Sequence, residues 1–385
     1  MATADVLLPV PASLGSSKRK RSESVTTSSL ENVMSFTVPR KIAFDPSQHL
    51  QFQDPDKIWT MEEIGHKNVG ISPVAVSNPF PLFSKEAIMQ MRDEVLSDAV
   101  QQNCKYASNL AASQLRGFAP KYAPFVYDAW NSPEVLKIVS KIAGIDLVPQ
   151  MDLEIAHINL SQFSAEQKEE DDKAIQEKQH RDADEGVAGC PWEDDKPIVN
   201  WHTDSYPFVC VTMLSDCTHM VGGETALLKG DGNVMKVRGP QMGHAVVLQG
   251  RYIEHQALRT LGTTERITMV TSFRPKSAFI KDDTVLTTVR SISNLSDLYS
   301  QYAEYRLDML EERVRAHRKQ LNDRKRAGRN FDTAATKAFI TEQRDFLESM
   351  LREMVDEDQV VKGHTTQSDL KSSNLRKHQQ KKARS

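Results

Sequence analysis

Hydrophobic residues in the middle of the chain occur in short runs separated by glycines and polar residues. The runs between residues 201 and 275 are bounded by turn-forming residues, a pattern typical of strands that cross a sheet repeatedly. The segment LEIAHINLSQF at 153–163 alternates apolar and polar positions and predicts a strand that leads into this block. We therefore expect a β-barrel or sandwich over residues 151–280.

Two amphipathic helices are predicted before this block. One begins after Ser84, a good N-cap, and the other begins after Ser132 with Pro133 in its first turn and ends at Gly144. The apolar positions are Ile88, Met91, Val95 and Val100 in the first helix, and Val135, Ile138, Val139 and Ile142 in the second. Because these positions recur at helical intervals, each helix is expected to pack one face on the core.

The barrel pattern stops after residue 275, and helical periodicity resumes from Asn294. A turn near Gly328 separates two long helical segments, which predicts an antiparallel hairpin packed against the barrel. Coiled-coil packing of these helices is expected, but fewer than four clean heptads are present, which favours packing within the chain over pairing between subunits. The alternative is that the helices pair with a second subunit and form a homodimer.

The pattern predicts an α+β protein with five regions. Residues 164–195 form an acidic, lysine-rich insertion in the barrel, for which a lid and a plain solvated loop are both open interpretations. The regions are a disordered tail at 1–35, an arm and supporting helices at 36–150, the barrel at 151–280, a C-terminal helical region at 281–360, and a disordered basic tail at 361–385.

Composition narrows the possible surroundings of the protein. The formal charge of −3, from 49 basic and 52 acidic residues, argues against a nucleic-acid partner. No apolar run approaches the ~20 residues that span a bilayer, and the N-terminal residues lack the order of a signal peptide. The four cysteines are too few for a disulfide framework. These features predict a cytoplasmic or nuclear protein without a membrane association.

A basic tetrad near the start bears on the choice between cytoplasm and nucleus. It comprises Lys18, Arg19, Lys20 and Arg21 and is either a nuclear-import signal or a solvated charge run.

Candidate metal ligands lie within the predicted strands. His202 and Asp204 stand two apart on a predicted strand, so both side chains leave the same face of the sheet. A third imidazole, His255, follows several strands later. Two histidines and one carboxylate make the facial triad of non-haem Fe(II) oxygenases, which leaves coordination positions open. Arg266 and Thr268 also share a strand face and could bind a small dicarboxylate, because a guanidinium holds a carboxylate bidentately.

These residues belong to a longer series of motifs. The series consists of H-T-D at 202–204, G-G-E-T at 222–225, G-H-A-V-V-L at 243–248, E-H-Q at 254–256 and R-I-T at 266–268. In this order, the motifs resemble the Fe(II)/2-oxoglutarate-dependent dioxygenase superfamily, with a likeness to prolyl hydroxylases. The resemblance covers roughly residues 150–280.

The resemblance implies both a fold and a set of roles. The fold would be a double-stranded β-helix, or jelly-roll, barrel with supporting N-terminal helices and a C-terminal helical extension. His202, Asp204 and His255 would bind Fe(II), and Arg266 with Thr268 would bind the distal carboxylate of 2-oxoglutarate. With O₂ as the other co-substrate, the default reaction would be hydroxylation with succinate and CO₂ as co-products.

Alternatives remain open for several of these residues. His244 is a rival for the position of His255, although its spacing to Arg266 is less typical of the family. A zinc site formed by Cys210, Cys217 and His219 matches no familiar pattern of structural zinc ligands.

His157 and Asn159 would share a face of the strand that leads into the barrel. They would either hold substrate or 2-oxoglutarate, or serve as hydrogen-bonded polar core residues.

Three functions are compatible with the sequence. We favour a dioxygenase that acts on a small organic substrate, since no R-x-N-x-T-x-R pattern of the nucleic-acid demethylases follows His255. G-G-E-T at 222–225 makes a prolyl-type protein hydroxylase an alternative, although those enzymes usually carry Lys at the place of Arg266. The third is a catalytically silent barrel used as an interaction module.

Overall fold

The structure is a computed structural model that describes residues 42–109, 111–184, 197–218, 220–237 and 241–365. The predicted tail at 1–35 with its basic tetrad, most of the tail at 361–385, Cys190 and His219 lie outside these residues. Among the described residues, none of the helices combines the length and hydrophobicity needed to cross a bilayer.

Helices lie at both ends of the described chain and in the insertion. The α-helices are α1 (Pro46–His49), α2 (Lys85–Val95), α3 (Asp98–Asn103), α4 (Ala119–Tyr122), α5 (Pro124–Asn131), α6 (Pro133–Ala143), α7 (Ala165–Asp184), α8 (Leu295–Arg326) and α9 (Thr333–Glu353). Short 3-10 helices span Asp152–Glu154, Arg290–Ile292 and Glu357–Gln359.

The strands are concentrated between the two helical regions. They are β1 (Ile58–Thr60), β2 (Val74–Ser77), β3 (Phe80–Pro81), β4 (Lys105–Tyr106), β5 (Gln114–Leu115), β6 (Leu147–Pro149), β7 (His157–Gln162), β8 (Pro197–His202), β9 (Phe208–Met213), β10 (Val221–Gly222), β11 (Thr225–Leu228), β12 (Val234–Val237), β13 (His244–Leu248), β14 (His255–Leu258), β15 (Thr260–Leu261) and β16 (Glu265–Pro275).

The predicted N-terminal helices are present with one correction. The Ser84 hydroxyl caps α2 by accepting from the backbone N–H of Ala87, and Gly144 ends α6 in the left-handed conformation with φ 69°. The predicted first helix is broken, however, because α2 ends at Val95 and Val100 lies on the separate helix α3. Val100 is still fully buried, so the apolar pattern reported the packed face but not the break between the helices.

Antiparallel sheets form the centre of the molecule. The largest follows the order β1-β2-β13-β9-β16-β7-β5-β4, with β3 paired to β13 and β6 to β16. A four-stranded sheet has the order β12-β11-β14-β8, and β10 pairs with β15. This confirms the predicted combination of helices with antiparallel β-structure.

The two faces of β16 have different surroundings. Ile267, Met269 and Phe273 belong to the core that the large sheet shares with the N-terminal helices. Val270 packs instead with residues that include Leu227 of the four-stranded sheet. Because side chains alternate along a strand, Arg266 and Thr268 leave β16 on the same side as Val270, toward the space between the sheets.

Two parts of the chain differ from the predicted secondary structure: the N-terminal arm contains additional strands, and the strand before the central block is shorter than predicted. The N-terminal arm, for which the sequence predicts no strand, supplies β1 and β2, and Val76 of β2 pairs with Leu248 of β13. The strand predicted over 153–163 begins only at His157, because a 3-10 turn and Ala156 with φ 62° precede it.

The insertion after β7 is helical over its first part. Helix α7 covers most of the insertion that was predicted as a lid or loop. The rest of the insertion, residues 185–195, lies outside the described part of the chain. Asp171 of α7 forms an ion pair of 2.7 Å with Arg259, which lies between β14 and β15. A charged contact thus joins the inserted helix to the segment between β14 and β15.

The C-terminal helices pack on one another and on the sheet region. Leu298 and Tyr302 of α8 and Phe346 of α9 share a core with Tyr206 and Met151. Arg306 of α8 is enclosed at the centre of this contact, where it pairs with Asp282 and its guanidinium stacks on the ring of Phe346. The predicted hairpin therefore has its apolar partner within the same chain.

Removal of the Asp282 carboxylate should destabilise the fold strongly. Both Asp282 and Arg306 side chains are 0% exposed, and a buried charge left without its partner typically costs about 3–5 kcal/mol. Urea denaturation of Asp282→Ala tests this expectation against Asp308→Ala, which removes an exposed carboxylate from α8, the helix that carries Arg306, and should shift stability by no more than about 0.5 kcal/mol. Equal stability of the two variants would contradict it.

Candidate metal centre

The structure brings His202, Asp204 and His255 together. His202 ends β8, His255 begins β14, and the two residues are direct partners in the antiparallel pairing of these strands. Asp204 lies in the loop after β8 and not on the strand, contrary to the prediction. The loop nevertheless places the carboxylate of Asp204 close to the imidazoles of His202 and His255. One ligand atom from each of the three side chains lies within 4.8 Å of the others.

The two histidines face the space between the sheets. His255 pairs with Leu227 on one side and with His202 on the other. Directly paired residues share a face of a sheet, and Leu227 packs in the core between the sheets. The imidazoles therefore project toward the interior side of the four-stranded sheet.

Backbone hydrogen bonds select the nitrogen that each imidazole offers. The Nδ1–H of His202 donates to the carbonyl of Asn200 at 2.7 Å, and that of His255 donates to Ile253 at 2.9 Å. In the neutral form of each imidazole, Nε2 therefore carries the lone pair that a metal ligand requires. Both Nε2 atoms lie 3.6 Å from Oδ1 of Asp204, longer than a good hydrogen bond but suitable for atoms arranged around a common ion.

Asp204 is held ionised by its surroundings. Burial alone would raise its pKa, but the charges and hydrogen bonds of His255 and His202 outweigh burial and lower the pKa. Burial lowers the pKa of His255, whereas the Asp204 carboxylate raises it more strongly. Oδ1 of Asp204 faces the two imidazoles, and Oδ2 is buried beside Gly250 without a hydrogen-bond partner among the described residues, so no other donor holds this carboxylate through Oδ2.

Arg266 is a second group with unused binding capacity. Its side chain is 7% exposed, its Nε has no hydrogen-bond partner among the described residues, and burial lowers its pKa. Gly223 lines this position, since a Cβ there would lie 3.7 Å from Nε of Arg266. A buried guanidinium without a carboxylate partner is costly, so this site favours an anionic ligand. Thr268, which is also buried, stands two residues along the same face.

A buried charged network next to the metal ligands was not predicted. Arg116 and Glu154 form a two-pronged ion pair, and the hydroxyl of Tyr206 donates to Glu154. All three side chains are buried, and Tyr206 lies two residues after Asp204. In the sequence, Arg116 and Glu154 are notable only as charged residues with apolar neighbours. Because the two residues are far apart in the chain, the sequence does not show that they are partners.

His157 connects this network to the interior face of β7. Its Nδ1 accepts from the Arg116 guanidinium at 3.4 Å. Burial, followed by the charge of Arg116, lowers the pKa of His157 to about 3, so the imidazole is neutral at ordinary pH. Asn159 lies on the same face of β7 and pairs with Thr268 of β16.

The rival metal ligands are placed elsewhere. His244 begins β13, where its Nδ1 lies 3.3 Å from the Met242 carbonyl, and it is not part of the ligand group. Burial raises the pKa of Cys210 to about 12 and that of Cys217 to about 11, so both are poor thiolate ligands. Across the described part of the chain, His202, Asp204 and His255 are the sole group of three or more side chains close enough to share a metal ion.

Comparison with known proteins gives distant similarities to solved structures. No family model matches the chain, and no curated protein matches it. Matching structures include members of the 2OG-Fe(II) oxygenase family, all at low identity and low TM-score, so the residues of the centre carry its interpretation.

Three of these structures illustrate the range. A Pseudomonas putida prolyl-4-hydroxylase is 14% identical over 50% of this chain and 89% of its own, with a TM-score of 0.31. AviO1 from Streptomyces viridochromogenes is 13% identical over 52% and 90%, with a TM-score of 0.34. A 2OG-Fe(II) oxygenase family protein from Burkholderia pseudomallei is 14% identical over 46% and 76%, with a TM-score of 0.30.

Gly250→Ala should disrupt metal binding. A Cβ at Gly250 would lie 1.8 Å from Oδ2 of Asp204, so the carboxylate must leave the position in which its Oδ1 faces the two imidazoles. We expect affinity for a divalent transition metal to fall by roughly 10-fold or more, as measured by titration. Gly232→Ala is the control, because nothing lies within 4 Å of its added Cβ; it should cost roughly 1 kcal/mol of stability through its φ of +86° and leave metal affinity unchanged. Unchanged affinity in Gly250→Ala would contradict the assigned geometry.

His157 should make the protein less stable as the pH falls. The unfolded chain takes up a proton on this residue below its ordinary pKa of 6.5, whereas the folded protein does so only near pH 3. The free energy of unfolding is therefore lost as the pH falls through 6.5. Between pH 7 and pH 5 we expect the wild type to lose about 2 kcal/mol more than His157→Gln, which has no proton to gain. Parallel stability curves in chemical denaturation would refute this expectation.

Proposed function

We propose that this protein is a non-haem Fe(II)- and 2-oxoglutarate-dependent dioxygenase. The observation that carries the proposal is the convergence of two imidazole Nε2 atoms and one carboxylate, with both Nδ1 atoms committed to backbone carbonyls. This donor set is the one that non-haem Fe(II) oxygenases use, and three ligands on one side of an ion leave its other positions open. When bound, Fe(II) would supply the activation of O₂ that the protein's own side chains cannot provide.

Arg266 is the residue we assign to the co-substrate. The distal carboxylate of 2-oxoglutarate would compensate its buried charge, with the Thr268 hydroxyl as a further donor. A neutral ligand would bind less favourably at this position, because it would leave the guanidinium of Arg266 without an anionic partner. This selects a dianion of which one end reaches Arg266 and the other reaches the metal.

The order of the strands supports the finer prediction of a double-stranded β-helix. Strands β7, β9, β13 and β16 lie in the large sheet, whereas β8, β11, β12 and β14 form the smaller one. The chain therefore crosses between the sheets repeatedly as it proceeds, as in a jelly-roll. In this arrangement the metal ligands come from the smaller sheet, and Arg266 with Thr268 comes from the larger sheet.

The reaction we propose is hydroxylation of a small organic molecule. One molecule each of substrate, 2-oxoglutarate and O₂ would give hydroxylated substrate, succinate and CO₂, with one oxygen atom entering each of the first two products. The near-neutral formal charge of −3 gives no support to a polyanionic partner. A prolyl-type protein hydroxylase is the alternative, for which turnover of proline-containing peptides is the discriminating measurement.

A silent barrel used only for interactions fits the site less well. Such a module would have no use for a buried carboxylate oxygen and a buried guanidinium nitrogen that both lack partners in the described structure. Each of these groups carries a cost in stability that a ligand would remove. The interaction module is therefore our third choice.

Anaerobic titration with Fe(II) and then with 2-oxoglutarate tests the proposal. We expect a weak visible absorption band only when both are present, followed by succinate formation when air is admitted. His202→Ala and Asp204→Ala should abolish iron binding, because two ligands do not hold the ion. Arg266→Ala should retain iron but raise the 2-oxoglutarate concentration needed for half-maximal signal at least about 10-fold, as expected for a lost charge-assisted contact.

The rival ligand provides a matched control in the same experiment. His244→Ala should bind iron as the wild type does, whereas His255→Ala should not. The reverse result would transfer the ligand role to His244. Absence of iron binding by the wild-type protein would overturn the proposed function itself.

A further inference from the structure

The segment between β16 and α8 lies across two loops that carry the metal-site residues. The first loop, residues 203–206, holds Asp204, and the second, residues 250–253, leads into His255. The loops contact each other directly, since the backbone N–H of Asp204 donates to the carbonyl of Gly250 at 3.0 Å. We refer to residues 282–290, which contact both loops, as the strap.

The strap is bonded to the first loop through Ser205, the residue next to Asp204. The backbone N–H of Val285 donates to the Ser205 carbonyl at 2.9 Å. The hydroxyls of Ser205 and Thr288 lie 2.6 Å apart, and the backbone N–H of Thr288 donates to the Ser205 hydroxyl at 3.3 Å. Ser205 is 2% exposed, so water does not compete for these bonds. They fix the chain one residue away from the metal-site carboxylate.

The strap is bonded to the second loop through Asp283. Arg251 donates from Nε to the Asp283 carbonyl at 2.8 Å, and the hydroxyl of Tyr252 donates to Oδ2 of Asp283 at 3.1 Å. Arg251 directly follows Gly250, the glycine that leaves room for Asp204. One short segment thus holds the chain next to Asp204 and the chain that leads to His255.

The C-terminal helices hold the strap in turn. Tyr305 and Arg306 of α8 both donate to Oδ2 of Asp282 at 3.0 Å. Glu353 of α9 accepts from the backbone N–H of Leu286 at 2.7 Å and pairs with Arg290 at 3.0 Å. Both ends of the strap are therefore attached to the helical hairpin by charged groups.

We propose that the strap is a positioning element of the metal centre, with Asp283 and Thr288 as its positioning residues and Ser205 as the residue of the first loop that Thr288 holds. It sets the carboxylate of Asp204 against the imidazole of His255 by fixing the backbone beside each. The proposal rests on the proposed function in one respect, namely that the three side chains bind a metal ion. It adds that the C-terminal helices, which contribute no ligand, determine how well the ligands fit around that ion.

Thr288→Val tests the strap with Co(II) as a spectroscopic probe. The substitution keeps the shape of the side chain and removes the hydroxyl that bonds Ser205. We expect Co(II) to bind roughly 10-fold more weakly and with a changed visible absorption spectrum, because loss of an outer contact releases the ligand it orients. Thr288→Ser restores the hydroxyl and should restore both affinity and spectrum, which a purely steric role of the methyl group would not permit.

Thr271→Val is the matched control for this experiment. It also removes a buried threonine hydroxyl that makes a hydrogen bond, here with the backbone N–H of Ala156 at 3.0 Å, but it lies on the opposite face of β16 from Arg266. It should lower thermal stability without changing the Co(II) spectrum. A wild-type affinity and spectrum in Thr288→Val would overturn the strap alone. Failure of the wild type to bind Co(II) would overturn the metal centre, and the strap proposal with it.

Discussion

The pairing of β14 with β8 is the constraint on which the candidate centre depends. It sets His255 opposite His202, with the ring centroids 4.4 Å apart. A shift of one residue in this register would turn one imidazole to the other face of the sheet. The carboxylate is then supplied by a turn, and the close approach of Asp204 to Gly250 couples that turn to the loop before β14. The register of β8 and β14 thus determines the position of the two histidines, and the lack of a side chain at Gly250 leaves room for the carboxylate of Asp204.

The buried arginines differ in whether a carboxylate of the protein compensates their charge. Arg116 with Glu154 and Arg306 with Asp282 are buried ion pairs in which each guanidinium has its carboxylate. Arg266 is buried as well, but no carboxylate among the described residues compensates it. A buried charge of this kind between the sheets marks a ligand position more clearly than burial alone does.

Much of the local structure was predictable because it depends on nearby residues. The cap at Ser84 and the stop at Gly144 follow from short-range hydrogen bonding and backbone sterics, and both are present. The break between α2 and α3 was not predicted, because the apolar pattern runs on through Val95 to Val100. The order of the motifs led to His202, Asp204 and His255, although Asp204 proved to lie on a turn. Groups that meet only in three dimensions, such as Arg116 with Glu154, left no spacing that sequence reasoning could use.

The attachment of the chain's later residues has a consequence for biosynthesis. Asn109, which lies among the N-terminal helices between α3 and α4, donates to the carbonyl of Thr365, a residue 256 positions further along the chain. The described strands of both sheets leave the ribosome before α8 and α9 do, so the nascent sheets exist for a time without the helices that cover Tyr206. At synthesis rates of about 5–20 residues per second, this interval lasts several seconds. During it the newly made sheets expose the apolar surface that α8 and α9 later cover.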